Sequence, residues 1–329
     1  MSGNGNGDNL LEIRDLYVRF HTLRGIVKAI DGVNLEVGYG EVLGLVGETG
    51  SGKTVTGLSI LRLLEQNAEI TGGEIIFQGR DLLKLPLKEI LKIRGRDISM
   101  IFQEPKAALN PVMQVGDQVA ESFLVHEEIS KKEAKERVLE IFRRVGLPDP
   151  ERVYKSYPHE LSGGMAQRVV ISMALALKPK LLIADEPTSA LDVTIQAQIM
   201  DLFRELINEM GTSVIYITHD MALAAEISDR IAVMYAGRIV EVADTETIFE
   251  NPLHPYTQGL LKSIPKPGYR GKLFSMEGEI PPLINPPPGC RFHPRCPKRF
   301  DPCDKEVPKL MEVEPEHKVA CFLFGGESK

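Results

Sequence analysis

The chain has 329 residues and a formal net charge of −7, long enough to bury a full-sized core and to split into two domains. No dense Lys/Arg block appears, so nucleic acid is excluded as the expected partner. No stretch approaches ~18 uninterrupted apolar residues, so no membrane-spanning helix is expected. Residues 1–9 (MSGNGNGDN) lack a charged-then-apolar signal pattern and read as a flexible polar lead. From residue 10 to about 45, Leu11–Phe20 and Val27–Val37 alternate apolar and polar, which suits antiparallel strands. Val42–Val46 is a continuous apolar run, expected as a buried parallel strand.

GETGSGKT at 47–54 follows that strand and fits the phosphate-binding pattern G-x-x-x-x-G-K-[ST]. Gly47, Glu48, Thr49, Gly50, Ser51 and Gly52 form a turn tight enough for backbone N–H groups to cup phosphate oxygens at a helix start. Lys53 can reach the β- and γ-phosphates, and the Thr54 hydroxyl can ligate Mg²⁺. Val55, Leu58, Leu61 and Leu64 form an apolar stripe expected on the following helix. Alone, the loop indicates only a nucleoside-triphosphate site.

The segment 86–162 reads as mainly helical, apart from a strand at Ile98–Phe102. Ser130 and Glu133 form a capping box, and Val138, Ile141, Phe142 and Val145 make a buried face ahead of Gly146. LSGGMAQR at 161–168 places a second glycine pair at a helix start running from Met165 to Leu177, with Ser162 as hydroxyl donor. One chain cannot easily wrap both glycine turns around one triphosphate. Leu181–Ala184 is a central-strand run that delivers Asp185 and Glu186 at its carboxyl end, where ligands bind in open α/β sheets. Ser213–Thr218 is a further strand ending in His219, 34 residues after Asp185. Ile231–Tyr235, a turn at Ala236-Gly237 and Arg238–Val242 complete the pattern.

These segments resemble the ATPase subunit of ABC transporters, in which LSGGM is the signature motif. The resemblance implies an α/β fold with a parallel core sheet, an antiparallel β subdomain and a helical subdomain. It assigns Asp185 to the Mg²⁺ shell with Thr54 and Gln103, and Glu186 to polarising the attacking water. His219 matches the switch histidine at the γ-phosphate, Gln103 the Q-loop glutamine, and PTSALD (187–192) the D-loop, with Ser189 and Asp192 at its ends. Ser162, Gly163 and Gly164 would close over the nucleotide of a partner subunit, a second copy or a homologous ATPase. Phe20 is the first candidate for the aromatic stacked on adenine, with Tyr17 as rival and a plain core aromatic as the third possibility.

Composition changes near residue 250: fourteen of the 22 prolines lie beyond it. The expected domains are therefore an ATPase domain at 10–250 and an extension at 251–329. All four cysteines, Cys290, Cys296, Cys303 and Cys321, fall in the extension, spaced C-x5-C-x6-C-x17-C. Four clustered thiols in an intracellular chain point to metal more than to disulfides. The spacing alone leaves zinc, iron–sulfur and free thiols open. PPGCRFHPRCPKRFDPC, NPLHPYTQGLLKSIP (251–265) and FQEPKAALNP (102–111) resemble the dipeptide/oligopeptide branch of ABC importers over residues 10–324; Glu104 departs from the usual Asp.

That branch implies ATP and Mg²⁺ as cofactors and a 4Fe–4S cluster on the four cysteines, with Zn²⁺ as the alternative. It also implies two transmembrane permease subunits, an extracytoplasmic substrate-binding protein and a peripheral place on the cytoplasmic membrane face. Peptides are the leading cargo, with oligosaccharides or nickel chelates as alternatives. A non-transport ABC-type ATPase would carry a coiled-coil insertion between Lys53 and Ser162, where no sustained heptads occur. A P-loop kinase or GTPase would lack LSGGMAQR, and a degenerate subunit would have lost Glu186 or His219.

Overall fold

The computed structural model describes residues 9–189, 191–264, 274 and 276–325. The polar lead at 1–8, Ala190 of PTSALD and Pro265 lie outside the described residues. In chain order the elements begin with β1 (Asn9–Thr22), β2 (Gly25–Gly38), β3 (Val42–Val46), α1 (Lys53–Ile60), β4 (Ala68–Phe77) and β5 (Arg80–Asp81). There follow α2 (Leu87–Ile93), β6 (Ile98–Ile101), α3 (Val115–His126), α4 (Lys131–Arg144), α5 (Pro150–Lys155) and α6 (Gly163–Leu175). The remainder is β7 (Leu181–Asp185), α7 (Val193–Met210), β8 (Ser213–Thr218), α8 (Met221–Ile227), β9 (Arg230–Tyr235), β10 (Arg238–Asp244), α9 (Thr245–Glu250), α10 (Pro255–Lys262), β11 (Met311–Glu314) and β12 (His317–Val319). Two compact units divide the chain: a helical unit containing Gly38–Glu41 and Lys84–Ile215, and a strand-rich unit containing Asn9–Val37, Val42–Leu83 and Tyr216–Lys329.

In the strand-rich unit one sheet has the order β2-β1-β4-β5, with β4 antiparallel to both β1 and β5. Leu11 and Ile13 are buried on one side of an irregularity in β1 and Leu16 and Val18 on the other, each pair two residues apart. The register slips between Arg14 and Val18, where Asp15 takes a left-handed φ of 45°. Opposite this bulge, Gly73 has φ 98°, and a Cβ there would stand 2.5 Å from the Asp15 carbonyl oxygen, so only glycine fits. A second row runs β11-β12-β10-β9-β3. Here β3 and β9 are parallel (Val46 beside Val233), while β9 and β10 form a hairpin. Ala236 and Gly237 both have positive φ, at 47° and 84°, the signature of the tight turn expected at this dipeptide.

The extension after residue 250 belongs to this same unit. β12 pairs antiparallel with β10, Glu241 facing Val319, and so covers the edge that β10 would otherwise expose. Tyr256 and Phe292 enter a core with Val46, Val233, Tyr235 and Val240. Their rings pack with Tyr235 at centroid distances of 4.6 Å (Tyr256) and 5.2 Å (Phe292), within the favourable range for aromatic pairs. The extension thus shares a core with β3, β9 and β10.

In the helical unit β6 and β7 are parallel, Ile98 beside Leu181 and Ile101 beside Ala184. The β6 strand ends one residue earlier than expected, leaving Phe102 outside it. Helix α4 buries Ala134, Val138 and Phe142, and Ser130 Oγ accepts from Glu133 N at 3.1 Å. Gly146, at φ 68°, closes the helix as expected. Helix α6 starts at Gly163, two residues before the sequence expectation, because Ser162 caps it by accepting from Met165 N at 3.2 Å. No helix among the described residues is long and apolar enough to cross a membrane.

Candidate functional site

In the strand-rich unit the fully buried β3 feeds the turn Gly47–Gly52, and α1 begins at Lys53. Two glycines here are obligatory. A Cβ at Gly47 would stand 2.1 Å from the Met234 carbonyl oxygen, and Gly52 has φ 110°. Among the described residues no side chain caps α1 at Gly52, which suits its first-turn N–H groups to an anion. Lys53 is 5 % exposed, and its Nζ donates to the carbonyls of Gly47 (2.7 Å) and Glu48 (3.1 Å). Ser51 Oγ is buried with no partner among the described residues, an orphan hydroxyl aimed within the glycine turn. Thr49, Gly50 and Thr54 are exposed. The turn therefore fits a phosphate chain with its divalent cation.

The helix after the loop differs from the expected stripe. It is eight residues long and buries Thr56, Gly57, Ser59 and Ile60, while Val55 and Leu58 are half-buried and Leu61 and Leu64 lie past its end. A short helix leaving a glycine turn packs on the small residues that let it lie close, and its apolar side chains flank that face.

Glu48 adds a carboxylate to a loop suited to anions, a charge that favours a nearby cation. Arg295 supplies it: Nη1 donates to Oε2 at 2.7 Å and Nη2 to Oε1 at 3.1 Å. Glu48 N donates to the Tyr256 hydroxyl at 3.0 Å. Arg295 and Tyr256 were not among the residues expected from sequence; the acid inside the loop was the signal that a distant cation had to approach it.

His219 sits exposed just past the end of β8. Asp220 beside it caps α8, accepting from Ala222 N at 2.8 Å and Leu223 N at 3.3 Å. Phe20 is half-buried near the end of β1, opposite Ala68. Its rival Tyr17 has the Arg19 guanidinium 5.5 Å from its ring and lines a groove with Asp31, Arg238 and Arg291.

In the helical unit β7 ends on Asp185, 3 % exposed, and Glu186 follows with φ 45°. A left-handed glutamate costs about 1–3 kcal/mol and persists only where its surroundings hold it. Gln103 Nε2 donates to Glu186 Oε2 at 3.1 Å, bringing together two residues that the sequence singled out 83 positions apart. Ser189 N and Oγ both donate to the Glu186 carbonyl at 3.2 Å, and Asp192 caps α7 by accepting from Ile195 N at 3.1 Å. Ser162 and Gly163 are exposed at the head of α6, and Gly164 is half-buried.

Cys290, Cys296, Cys303 and Cys321 line one cavity together with Phe292 and His254. All four are free thiols. Among the described residues, however, no group of three or more His, Cys, Asp or Glu is arranged to hold a metal ion. Cys290 and Cys296 pack as small side chains against the aromatic core. Burial pushes Cys290 and Cys296 above the usual thiol range and Cys321 up to about 11. Ligating a metal would require the opposite, thiolate form.

Two family models match the chain: ABC transporter over residues 30–189, and oligopeptide/dipeptide transporter, C-terminal region, over residues 240–303. A probable peptide ABC transporter ATP-binding protein of Sinorhizobium fredii is 49 % identical over 98 % of this chain and 97 % of its own length. The dipeptide transport ATP-binding protein DppD of Bacillus subtilis is 48 % identical, covering 96 % and 95 %. The oligopeptide transport ATP-binding protein OppD of Escherichia coli is 46 % identical, covering 96 % and 93 %. Among solved structures, a dimeric ATP-binding cassette in a post-hydrolysis state with ADP and Pi matches at TM-score 0.65 and 29 % identity, over 71 % of this chain and 98 % of that one.

Proposed function

Because the chain belongs to the ATP-binding subunits of peptide ABC transporters, we propose that the residues its motifs single out carry the hydrolysis, in composite sites shared by two such subunits. The chain binds ATP and hydrolyses it to ADP and phosphate to power peptide import. Gly47–Gly52 and Lys53 hold the phosphates, and Phe20 stacks on adenine. Thr54, Asp185 and the Gln103 amide oxygen are hard oxygen donors of the kind Mg²⁺ takes; the cation supplies charge neutralisation on the phosphates. Glu186 accepts a proton from the attacking water as its oxygen bonds to the γ-phosphorus, and the β–γ bridging oxygen leaves with ADP. His219 contacts the γ-phosphate, and Ser162, Gly163 and Gly164 close over the nucleotide of the partner subunit.

The observation that carries this assignment is Glu186, held left-handed with Gln103 donating to its carboxylate at 3.1 Å. A base oriented this way loses little to disorder before it meets water. The experiment is Glu186→Gln in the assembled transporter. ATP binding should persist while turnover falls roughly 10²-fold or more, the usual scale for a general base. Turnover within twofold of wild type overturns the assignment.

The pairing is with a second copy or a homologous ATPase subunit, a reading supported by Ser162 and Gly163 standing exposed at a helix start. Two transmembrane permease subunits and an extracytoplasmic binding protein complete the machine, and this subunit lies on the cytoplasmic membrane face. The domains follow the composition change: an ATPase domain to residue 250 and an extension after it. The extension's four thiols, sharing one cavity, have the donor chemistry of a 4Fe–4S cluster, with Zn²⁺ as the alternative. Protein purified without oxygen should carry about four irons per chain; stoichiometric zinc assigns the alternative, and no metal removes both.

A further inference from the structure

The phosphate loop of this chain is gripped from outside. Glu48, its second residue, gives both carboxylate oxygens to the Arg295 guanidinium, at 2.7 Å and 3.1 Å, in a two-pronged pair. The Arg295 side chain is 5 % exposed, and its other contacts fix it in place. Nε donates to the Glu277 carbonyl at 3.1 Å, Nη1 reaches the Tyr235 hydroxyl at 3.4 Å, and the guanidinium lies 5.8 Å from the Tyr235 ring centre. The backbone of Glu48 is held as well, its N–H donating to the Tyr256 hydroxyl at 3.0 Å. Its carbonyl in turn accepts from Lys53 Nζ at 3.1 Å.

We propose that Arg295 is a positioning residue for nucleotide binding, through which the cysteine-bearing turn Cys290–Cys296 holds the phosphate loop in its binding shape. The inference rests on Gly47–Thr54 being the nucleotide loop. Three facts carry it together. The pair lies at the second position of the loop, where a carboxylate left free would repel the phosphates. The residue it fixes presents a carbonyl to Lys53, so a shift of Glu48 is a shift of the lysine that must meet the phosphates. Arg295 is itself built into a tight turn: Arg295 N donates to the Phe292 carbonyl at 3.0 Å, His293 N to Cys290 at 3.0 Å and Cys296 N to His293 at 3.3 Å. The turn that carries two of the four thiols is thereby joined to the loop by one salt bridge, and Phe292 anchors it in the shared core.

The test measures binding of a fluorescent ATP analogue with Mg²⁺ to the full chain carrying R295M, R295K, E48Q, E48Q/R295M or K53A. Because displacements of about 1 Å in a positioned site can cost up to ~10²-fold, R295M should weaken binding about tenfold. R295K, which keeps the charge but not the fork, should weaken it about threefold. E48Q/R295M should bind no more weakly than R295M, since the two changes break one interaction. A merely structural arginine would lower the melting temperature and leave analogue affinity alone. R295M binding within twofold of wild type, while K53A loses binding, overturns the proposal, as does strict additivity in the double variant. K53A keeping full affinity overturns the loop assignment beneath it. R295K retains the stem packing and carries the same comparison if R295M does not fold.

Discussion

Asp31→Asn tests whether charge stitches the extension to the β1 and β10 strands of its own unit. One carboxylate there serves three guanidiniums. Oδ1 accepts from Arg19 Nη2 at 2.6 Å, and Oδ2 accepts from Arg238 Nη2 at 2.6 Å and Arg291 Nη2 at 2.9 Å. The Arg291 side chain is 3 % exposed, against 18 % for Arg19 and 22 % for Arg238. Water can therefore compensate the last two but not Arg291. Removing one partner of a buried pair costs about 3–5 kcal/mol. Asn keeps one acceptor and two of the arginines reach solvent, so about 3 kcal/mol is expected. At about 2 °C per kcal/mol for a chain of this size, the melting temperature should fall by about 6 °C.

The assay is thermal melting by circular dichroism without nucleotide, at pH 7.5 and at acid pH. Burial by itself would raise the Asp31 carboxyl, but the Arg238 hydrogen bond, the Arg291 charge and the Arg19 hydrogen bond outweigh it and hold it below 3.8. Its stabilisation is therefore complete well above pH 3.8 and lost as pH falls through the lower folded value, so the gap between wild type and variant should close only below about pH 4. A second variant isolates the cause. Adding Arg291→Met to Asp31→Asn removes the stranded charge and should recover part of the loss. A shift under about 1 °C in the single variant, or a further loss in the double, refutes the reasoning.

Mixed dimers should separate the two halves of the composite site. Lys53→Ala chains combined with Gly163→Asp chains place both defects in one site and leave the other whole, so ATPase activity should return in part, and none in a verified mixed dimer counts against head-to-tail pairing. His254 is buried, and that burial lowers it to about 3, while its Nδ1 accepts from Tyr256 N at 3.0 Å. The unfolded chain takes up a proton below 6.5 that the folded chain refuses, so stability should decline from there toward pH 3. His254→Asn, which keeps an acceptor, should flatten that part of the melting-temperature profile; an unchanged slope removes His254 as its source.

Much of the local architecture was legible in residue order. Glycine spacing in 47–52, the apolar runs Val42–Val46 and Leu181–Ala184, the Ser130 cap and the Ala236-Gly237 turn each depend on neighbours within a few residues. Sterics and hydrogen-bonding reach at that range are the same wherever the segment lies. What the tertiary structure decided is partnership across long separations. Gln103 meets Glu186, Arg295 neutralises Glu48 across 247 residues, and Asp31 gathers arginines from β1, β10 and the extension. β12 finds the free edge of β10, and four thiols spread over the extension come to line one cavity. Charge and hydrogen-bonding groups carry no period that names a partner: any of 39 basic residues could have answered Glu48, and only the packing of the Phe292 turn onto Tyr235 and Tyr256 chose Arg295.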